Sequence, residues 1–475
     1  MTPQNIHFIA IGGAAMHNLA LALHDLGHTV TGSDDAIHDP SKSRLAKAGL
    51  LPASMGWFPE RIHTGLDVVI LGMHARGDNP ELAQAKSLGL QVVSYPEYLY
   101  EAAKAQHRVV VAGSHGKTTI TAMLLHVLHN LGRPTDFMVG AQLAGFDRMV
   151  QLTGAKDIVL EGDEYLSSPL DLTPKFHWYK PHLTIITGVA WDHINVFPTE
   201  EVYRAQFVTY VKRMEPGGTV VWYADDPALN SVMEEVLPLR PDLHSIPYRQ
   251  PDSKVIEGVL HLRHDGEWHP LGTVGAHNAL NTAGAMALCA AWGISEADFL
   301  QAVQDFTGAA GRLERKRDFE TPNGPCTVFR DFAHAPSKVK ATTDSIKGQF
   351  PDRKVIALLE LHTFSSLNPA FLPTYAGALD AADEAYVCWS PDVLAHKQLP
   401  PLSQEDVHRA FQRDDLGVCN ASEEIVRAVQ QSAGPNSVVL LMSSGRFEGA
   451  DLLSAIEAAV SPGPRPTPSS GQTPG

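Results

Sequence analysis

Residues 108–111, Arg108-Val109-Val110-Val111, lead directly into Ala112-Gly113-Ser114-His115-Gly116-Lys117-Thr118-Thr119 and then into an amphipathic stretch over residues 118–131. Successive β-branched residues read as a strand, the glycines as a turn and the apolar periodicity as a helix, so the segment predicts strand, phosphate loop and helix. Strand, loop and helix in this order place the segment in an α/β domain. The same segment carries chemistry. Backbone N–H groups at the helix start and the Lys117 ammonium can neutralise phosphate oxygens, and the Thr118 hydroxyl can ligate magnesium. Val111 stands where the generic G-x-x-x-x-G-K-[ST] pattern has its first glycine, so the reading rests on the strand-loop-helix context.

With 475 residues, the chain is about three times the usual length of one domain. An earlier β-α-β unit is expected from a strand at 6–11, the pair Gly12-Gly13, a helix at 16–26, a stop at Gly27 and a second strand closing on Gly32-Ser33-Asp34. Further strands are expected at 68–71 and 91–94, and the first domain is expected to occupy 1–106. Apolar runs at 157–160, 183–187 and 219–222 and a helix at 280–292 continue an α/β pattern through a second domain, 107–312. Strand-like runs at 326–329, 355–359, 385–388 and 438–442 make a third α/β domain, 313–461. Residues 462–475, rich in Pro, Gly and Ser, are expected to be a disordered tail, because they cannot bury enough apolar surface to offset the entropy of ordering.

Charge and cysteine content narrow the function. Lys plus Arg number 37 against 53 Asp plus Glu, a net charge of −16 with no basic cluster, which argues against a nucleic-acid binder while leaving room for an anionic small substrate in a locally basic pocket. Cys289, Cys326, Cys388 and Cys419 show no C-x-x-C spacing, so neither a zinc site nor a disulfide framework is expected. The opening residues lack a basic segment followed by an apolar run, and no stretch of 18 apolar residues occurs, so a cytoplasmic protein without a membrane span is expected.

Two further groups follow strand-like runs, where the C-terminal ends of strands in an α/β sheet present side chains to ligands. Glu161-Gly162-Asp163-Glu164 offers carboxylates, and Glu161 can hold a hard divalent cation against phosphates. Trp191-Asp192-His193 supplies an imidazole, which chemistry alone would not choose for magnesium. Taken in order with Gly275-Ala276-His277-Asn278-Ala279-Leu280-Asn281, these groups resemble the signature of the Mur ligases, over roughly residues 5–460. The resemblance implies a Rossmann-like UDP-binding domain, a central P-loop ATPase domain and a C-terminal Rossmann-like domain that binds the incoming amine. It implies that Lys117 contacts ATP phosphates, together with Gly113, Ser114, His115, Gly116, Thr118 and Thr119. Thr118, Glu161 and His193 then resemble the magnesium ligands, Asn278 and Asn281 the nucleotide-binding residues, and Arg312 the arginine that reaches the γ-phosphate. Asp331 and His334, in Asp331-Phe332-Ala333-His334, match the C-terminal nucleotide motif. Gly12, Gly13, Ala14, Ala15, Met16, Ser33 and Asp34 resemble the UDP-binding loop; a dinucleotide site is the competing reading, weakened by Ala10 and Ala15 where related loops have glycine.

Within the family, residues 74–80 (with His74 and Arg76), 331–334 and 442–449 resemble the murein peptide ligase branch. That branch implies ATP-dependent joining of UDP-N-acetylmuramate to L-alanyl-γ-D-glutamyl-meso-diaminopimelate in peptidoglycan recycling. The alternatives are ligation of free L-alanine, or a non-catalytic nucleotide-binding regulator of the same fold. The regulator is suggested by Gly188, Ala190 and Arg330, where the family has Asn, Glu and Asp. His362, Ser443, Ser444, Gly445 and Arg446 are candidates for the amine site, since residues 360–366 lack the arginine that better-known branches carry.

Overall fold

A computed structural model describes residues 2–141, 146, 148–191 and 196–461. The chain divides into two compact units, one through Ala310 and one from Gly311. Among the described residues no helix is long and apolar enough to cross a membrane.

Among the described residues the first unit contains three sheets. Its N-terminal sheet has the spatial order Thr29–Ser33, Asn5–Ile9, Val68–Leu71, Val92–Ser94, all parallel. The strand Val68–Leu71 is buried along its whole length, as expected where helices cover both faces of a parallel sheet. The second sheet runs His244–Tyr248, Thr219–Tyr223, Leu183–Ile186, His107–Ala112, Asp157–Glu161, Asp136–Met138, Val150–Gln151, antiparallel only at the last pair. From His107–Ala112 the chain first goes to one side of the sheet and later returns to fill the other, so the carboxyl end of this strand is a topological switch point. The helix Lys117–Asn130 begins there.

One apolar cluster runs from Ile6 and Phe8 through Tyr95 and Leu99 to Val110, Leu160 and Phe207, which is why both sheets belong to one compact unit. A second cluster packs Ile120, Leu124, Leu288 and Phe299 against the other face of the central sheet. A small antiparallel sheet, Ser253–Ile256, Val259–His264 and Glu267–Leu271, was not expected from the sequence. It buries only Leu260, Leu262 and Leu271 on its inner face, too few residues to give a strong period-two signal.

The second unit is a six-stranded sheet in the order Glu314–Phe319, Cys326–Asp331, Ser437–Met442, Lys354–Glu360, Glu384–Cys388, Gly417–Cys419. All neighbours are parallel except the first pair. The sequence of Glu314–Phe319, Glu-Arg-Lys-Arg-Asp-Phe, reads as a charge run, but charges are what an exposed edge strand carries to block further pairing.

Candidate active site

The phosphate-loop segment folds as its sequence predicts. His107–Ala112 is buried from Arg108 onward, and the turn that follows needs glycine at two positions. Gly113 has φ +120°, and a Cβ there would lie 2.2 Å from Thr187 Oγ1; Gly116 has φ +71°, and its Cβ would lie 2.2 Å from Asn281 Oδ1. Among the described residues no side chain caps the helix that Gly116 opens, so its first turn faces the loop with backbone N–H groups, an arrangement suited to an anion. The same contact places Asn281, on the helix Ala276–Ala291, over the loop. Asn281 Nδ2 donates to Asn278 Oδ1 at 3.1 Å, and Asn278 Nδ2 donates to Val274 O at 2.8 Å. Thr119 is the third residue of the loop helix and is buried, and the His115 carbonyl accepts from Thr187 Oγ1.

Charged groups converge beside the loop. Lys117 Nζ donates to Gly113 O at 2.5 Å and to Glu164 Oε2 at 2.6 Å. Thr118 Oγ1 donates to Glu161 Oε1 at 2.8 Å, and Gly140 N donates to Glu161 Oε2 at 2.8 Å. Lys175 Nζ meets Asp163 Oδ2 at 2.5 Å. Burial alone would pull the Lys117 ammonium down, but the nearby carboxylates of Glu164, Asp163 and Glu161 outweigh it and raise its pKa. Asp163 is only half-buried; partial desolvation would raise its pKa, but the neighbouring cations, Lys175 first, outweigh it and the pKa is lowered. The glycine cradle, helix start, ammonium and Thr118–Glu161 pair fit a nucleotide phosphate chain with a hard cation, which takes oxygen ligands. His193 and Asp192 lie outside the described residues.

Sequence reading missed two participants. Glu164 was seen only as part of an acidic group, and Tyr203, on the helix Glu200–Lys212, gave no signal. Tyr203 OH donates to Glu164 Oε1 at 3.1 Å and lies 3.1 Å from Ser114 Oγ, which in turn accepts from Ala190 N at 2.7 Å. The departure at Gly188 has a local cause: its φ is +136°, a Cβ there would approach Asp226 Oδ2 to 2.9 Å, and its carbonyl accepts from Ser114 N at 3.0 Å.

At the N-terminal sheet, Gly12 N donates to Asp34 Oδ2 at 2.7 Å, and Arg61 reaches Ser33 Oγ at 3.2 Å. Gly13 precedes the helix Ala14–Asp25, whose first residues are Ala14, Ala15 and Met16, again without a side-chain cap. Burial raises the Asp34 pKa. His74 is exposed. Arg76 points to solvent, 3.3 Å from Asp78, while Asn79 of the same stretch caps the helix Pro80–Ser87.

In the second unit, the Arg312 guanidinium sits 4.3 Å from the centre of the Phe332 ring, and that ring meets His334 edge-on at 5.1 Å. Asp331 is buried and accepts from Thr342 Oγ1 at 2.6 Å. At the carboxyl ends of Lys354–Glu360 and Ser437–Met442, Glu360 accepts from Ser443 Oγ and, at 2.9 Å, from Phe447 N. Gly445 packs so closely that a Cβ would lie 2.7 Å from Glu360 Oε2 and 2.8 Å from His362 Nδ1. His362, Ser443 and Gly445 are thus neighbours, with Ser444 alongside and Arg446 exposed. Glu360 organises them, and its only sequence signal was an acid ending a buried apolar strand.

Three family models match the chain in succession: the Mur ligase family catalytic domain over residues 5–107, the Mur ligase middle domain over 111–289 and the Mur ligase glutamate ligase domain over 311–445. The UDP-N-acetylmuramate–L-alanine ligase of Frankia casuarinae is 30% identical, over 90% of this chain and 88% of its own length. The chain belongs to the Mur ligase family. The Mur ligases are ATP-dependent ligases that form amide bonds, and the chain has their three-domain α/β architecture. The enzyme of the same name from Limosilactobacillus reuteri is also 30% identical, over 82% of this chain and 85% of its own. Among solved structures, a murein peptide ligase from Psychrobacter arcticus superposes with a TM-score of 0.66 at 24% identity, covering 96% of this chain and all (100%) of that one. A UDP-N-acetylmuramate-alanine ligase from Thermotoga maritima gives a TM-score of 0.71 at 21% identity, with the same coverage of both chains. These two likenesses show a shared fold.

Proposed function

We propose that this Mur ligase joins the carboxylate of UDP-N-acetylmuramate to L-alanyl-γ-D-glutamyl-meso-diaminopimelate in the cytoplasm, with ATP and magnesium, through an acyl phosphate. The observation that carries the nucleotide half of this reading is the meeting of Lys117, Thr118 and Glu161 at the switch point of the central sheet. A carboxylate resists attack by an amine at neutral pH. Transfer of the γ-phosphoryl group makes it an acyl phosphate; the amine then attacks the carbonyl, and the tetrahedral intermediate expels phosphate. Lys117 and the helix N–H groups neutralise the transferring phosphoryl group, and Asn278 and Asn281 hold the nucleotide. Thr118, Glu161 and His193 would hold magnesium, which would supply Lewis-acid stabilisation of the phosphate oxygens. Arg312, Asp331 and His334 are assigned to the nucleotide by their match to family motifs. Gly12 to Met16, Ser33, Asp34, His74 and Arg76 are assigned to the UDP-sugar, and His362 and Ser443 to Arg446 to the amine. We assign the three functional domains to 1–106, 107–312 and 313–461.

The choice of tripeptide over free alanine is supported by the stretches at 74–80, 331–334 and 442–449. The names of the curated relatives favour the second reading, ligation of L-alanine. A paired assay decides between them: phosphate release with ATP, magnesium and UDP-N-acetylmuramate is expected to be far faster with the tripeptide than with alanine. Equal or preferential use of alanine reverses the assignment, and no product with either acceptor, despite ATP binding, supports a non-catalytic regulator.

A further inference from the structure

Glu164 is almost fully buried, 1% exposed, yet it is not among the groups assigned a role above. Its two oxygens are committed separately, Oε2 to the Lys117 ammonium at 2.6 Å and Oε1 to Tyr203 OH at 3.1 Å. Tyr203, itself fully buried, lies 3.1 Å from Ser114 Oγ in the loop, so the carboxylate is fixed from the side away from Lys117. Among the described residues, the carboxylates of Glu161, Asp163 and Glu164 lie together beside Lys117. Asp163 keeps its own cation in Lys175, and Glu161 is held by Thr118 Oγ1 and Gly140 N. Glu164 shares its Lys117 cation with the place a phosphate chain must occupy.

A triphosphate that takes Lys117 therefore leaves Glu164 buried beside new negative charge, and like charges a few ångströms apart in a partly dehydrated site repel strongly. Compensating positive charge that arrives with the nucleotide relieves this repulsion. We propose that Glu164, clamped by Tyr203, is a charge gate that makes the phosphate loop select metal-complexed over metal-free nucleotide. Glu164 is a positioning and selecting residue: it holds the Lys117 ammonium at the loop mouth and sets the electrostatic condition for its release to phosphate. The proposal rests on the reading of this loop as the nucleotide site.

The test is calorimetric titration of ADP into the full chain in excess magnesium and, separately, in EDTA, comparing the ratio of the two affinities between variants. Wild-type protein is expected to bind ADP much more weakly in EDTA. Glu164→Gln keeps the shape and an acceptor for Lys117 but removes the charge; it is expected to tighten binding in EDTA by about tenfold or more, with a smaller change in magnesium, so the ratio narrows. Tyr203→Phe removes only the hydroxyl that clamps the carboxylate and is expected to narrow the ratio less; it reads the same quantity if Glu164→Gln does not fold. A merely structural role for Glu164 would weaken binding equally in both buffers. An unchanged ratio in the variants overturns the gate while leaving the nucleotide site standing. Failure of wild-type protein to bind ADP in either buffer overturns the nucleotide-site reading, and the gate with it.

Discussion

Lys117, proposed to meet phosphate, is also paired with a protein carboxylate, and this alters what its removal does. The sequence suggests a side chain turned to ligand alone, so that Lys117→Ala would silence the enzyme and spare the fold. Its partner Glu164 is buried, however, and truncating one member of a buried pair strands the other charge, at a cost of about 3–5 kcal/mol. Lys117→Ala is therefore expected to abolish phosphate release and also to lower the melting temperature. The double variant Lys117→Ala/Glu164→Gln should recover melting temperature without activity; thermal denaturation beside the phosphate assay checks both. Gly116→Ala is expected to abolish ADP binding in titration, since the methyl group would meet Asn281 Oδ1 at a φ of +71°. His177 makes stability depend on pH. Burial lowers its pKa from 6.5 to about 4, so the unfolded chain binds the proton more readily between those values. Its contribution is complete above pH 6.5 and declines as pH falls towards 4, by up to about 3 kcal/mol. Denaturant midpoints measured across that window should fall, and His177→Asn, which keeps a donor for Gln206 O, should flatten the fall.

Among the elements, the strand that feeds the phosphate loop is anchored at its start by one buried arginine. Arg108 donates to the carbonyls of Lys104 at 2.8 Å, Gln106 at 3.2 Å and Tyr179 at 2.9 Å, and to Glu215 at 2.5 Å. It thus ties the end of the helix Tyr95–Ala102 to the segment before Leu183–Ile186. Arg108→Met retains the apolar stem but orphans these carbonyls, and is expected to destabilise the protein by about 3 kcal/mol or more in urea unfolding. The sequence showed this residue only as the polar start of a β-branched run. The buried parallel strands at 68–71, 157–161, 183–186 and 354–360 were legible because a strand covered on both faces must be apolar throughout. The edge strands Thr29–Ser33 and Val92–Ser94 were legible as well, but the polar edge strands of the other two large sheets were not. Glu314–Phe319 and His244–Tyr248 expose most of their side chains, and their membership in a sheet rests on backbone pairing that any polar sequence can make.

For the whole molecule, the sequence suggested three domains, and three sequential α/β segments are present, but the first two are joined by a common core. Ile6, Tyr95 and Val110 belong to one apolar cluster, and Met149 N donates to Asn18 Oδ1 at 3.1 Å. The unit from Gly311 has a separate core around Val328, Leu358, Val439 and Ile456. A fragment spanning 311–461 is therefore expected to unfold cooperatively on its own, which circular dichroism with urea would show; a fragment ending at 106 is expected to be unstable, because it would expose the shared cluster.

Local order along the chain determined the strand–loop–helix unit, the glycines it needs and the acids that end buried strands, because each is a pattern of neighbours within one element. Tertiary structure alone decided that Lys117 meets Glu164, 47 residues away, that Glu164 meets Tyr203, 39 away, and that Ser443 closes on Glu360, 83 away. Periodicity tells which face of its own element a side chain occupies; which other element lies against that face is set by the order of strands in the sheet and by how the core closes between them.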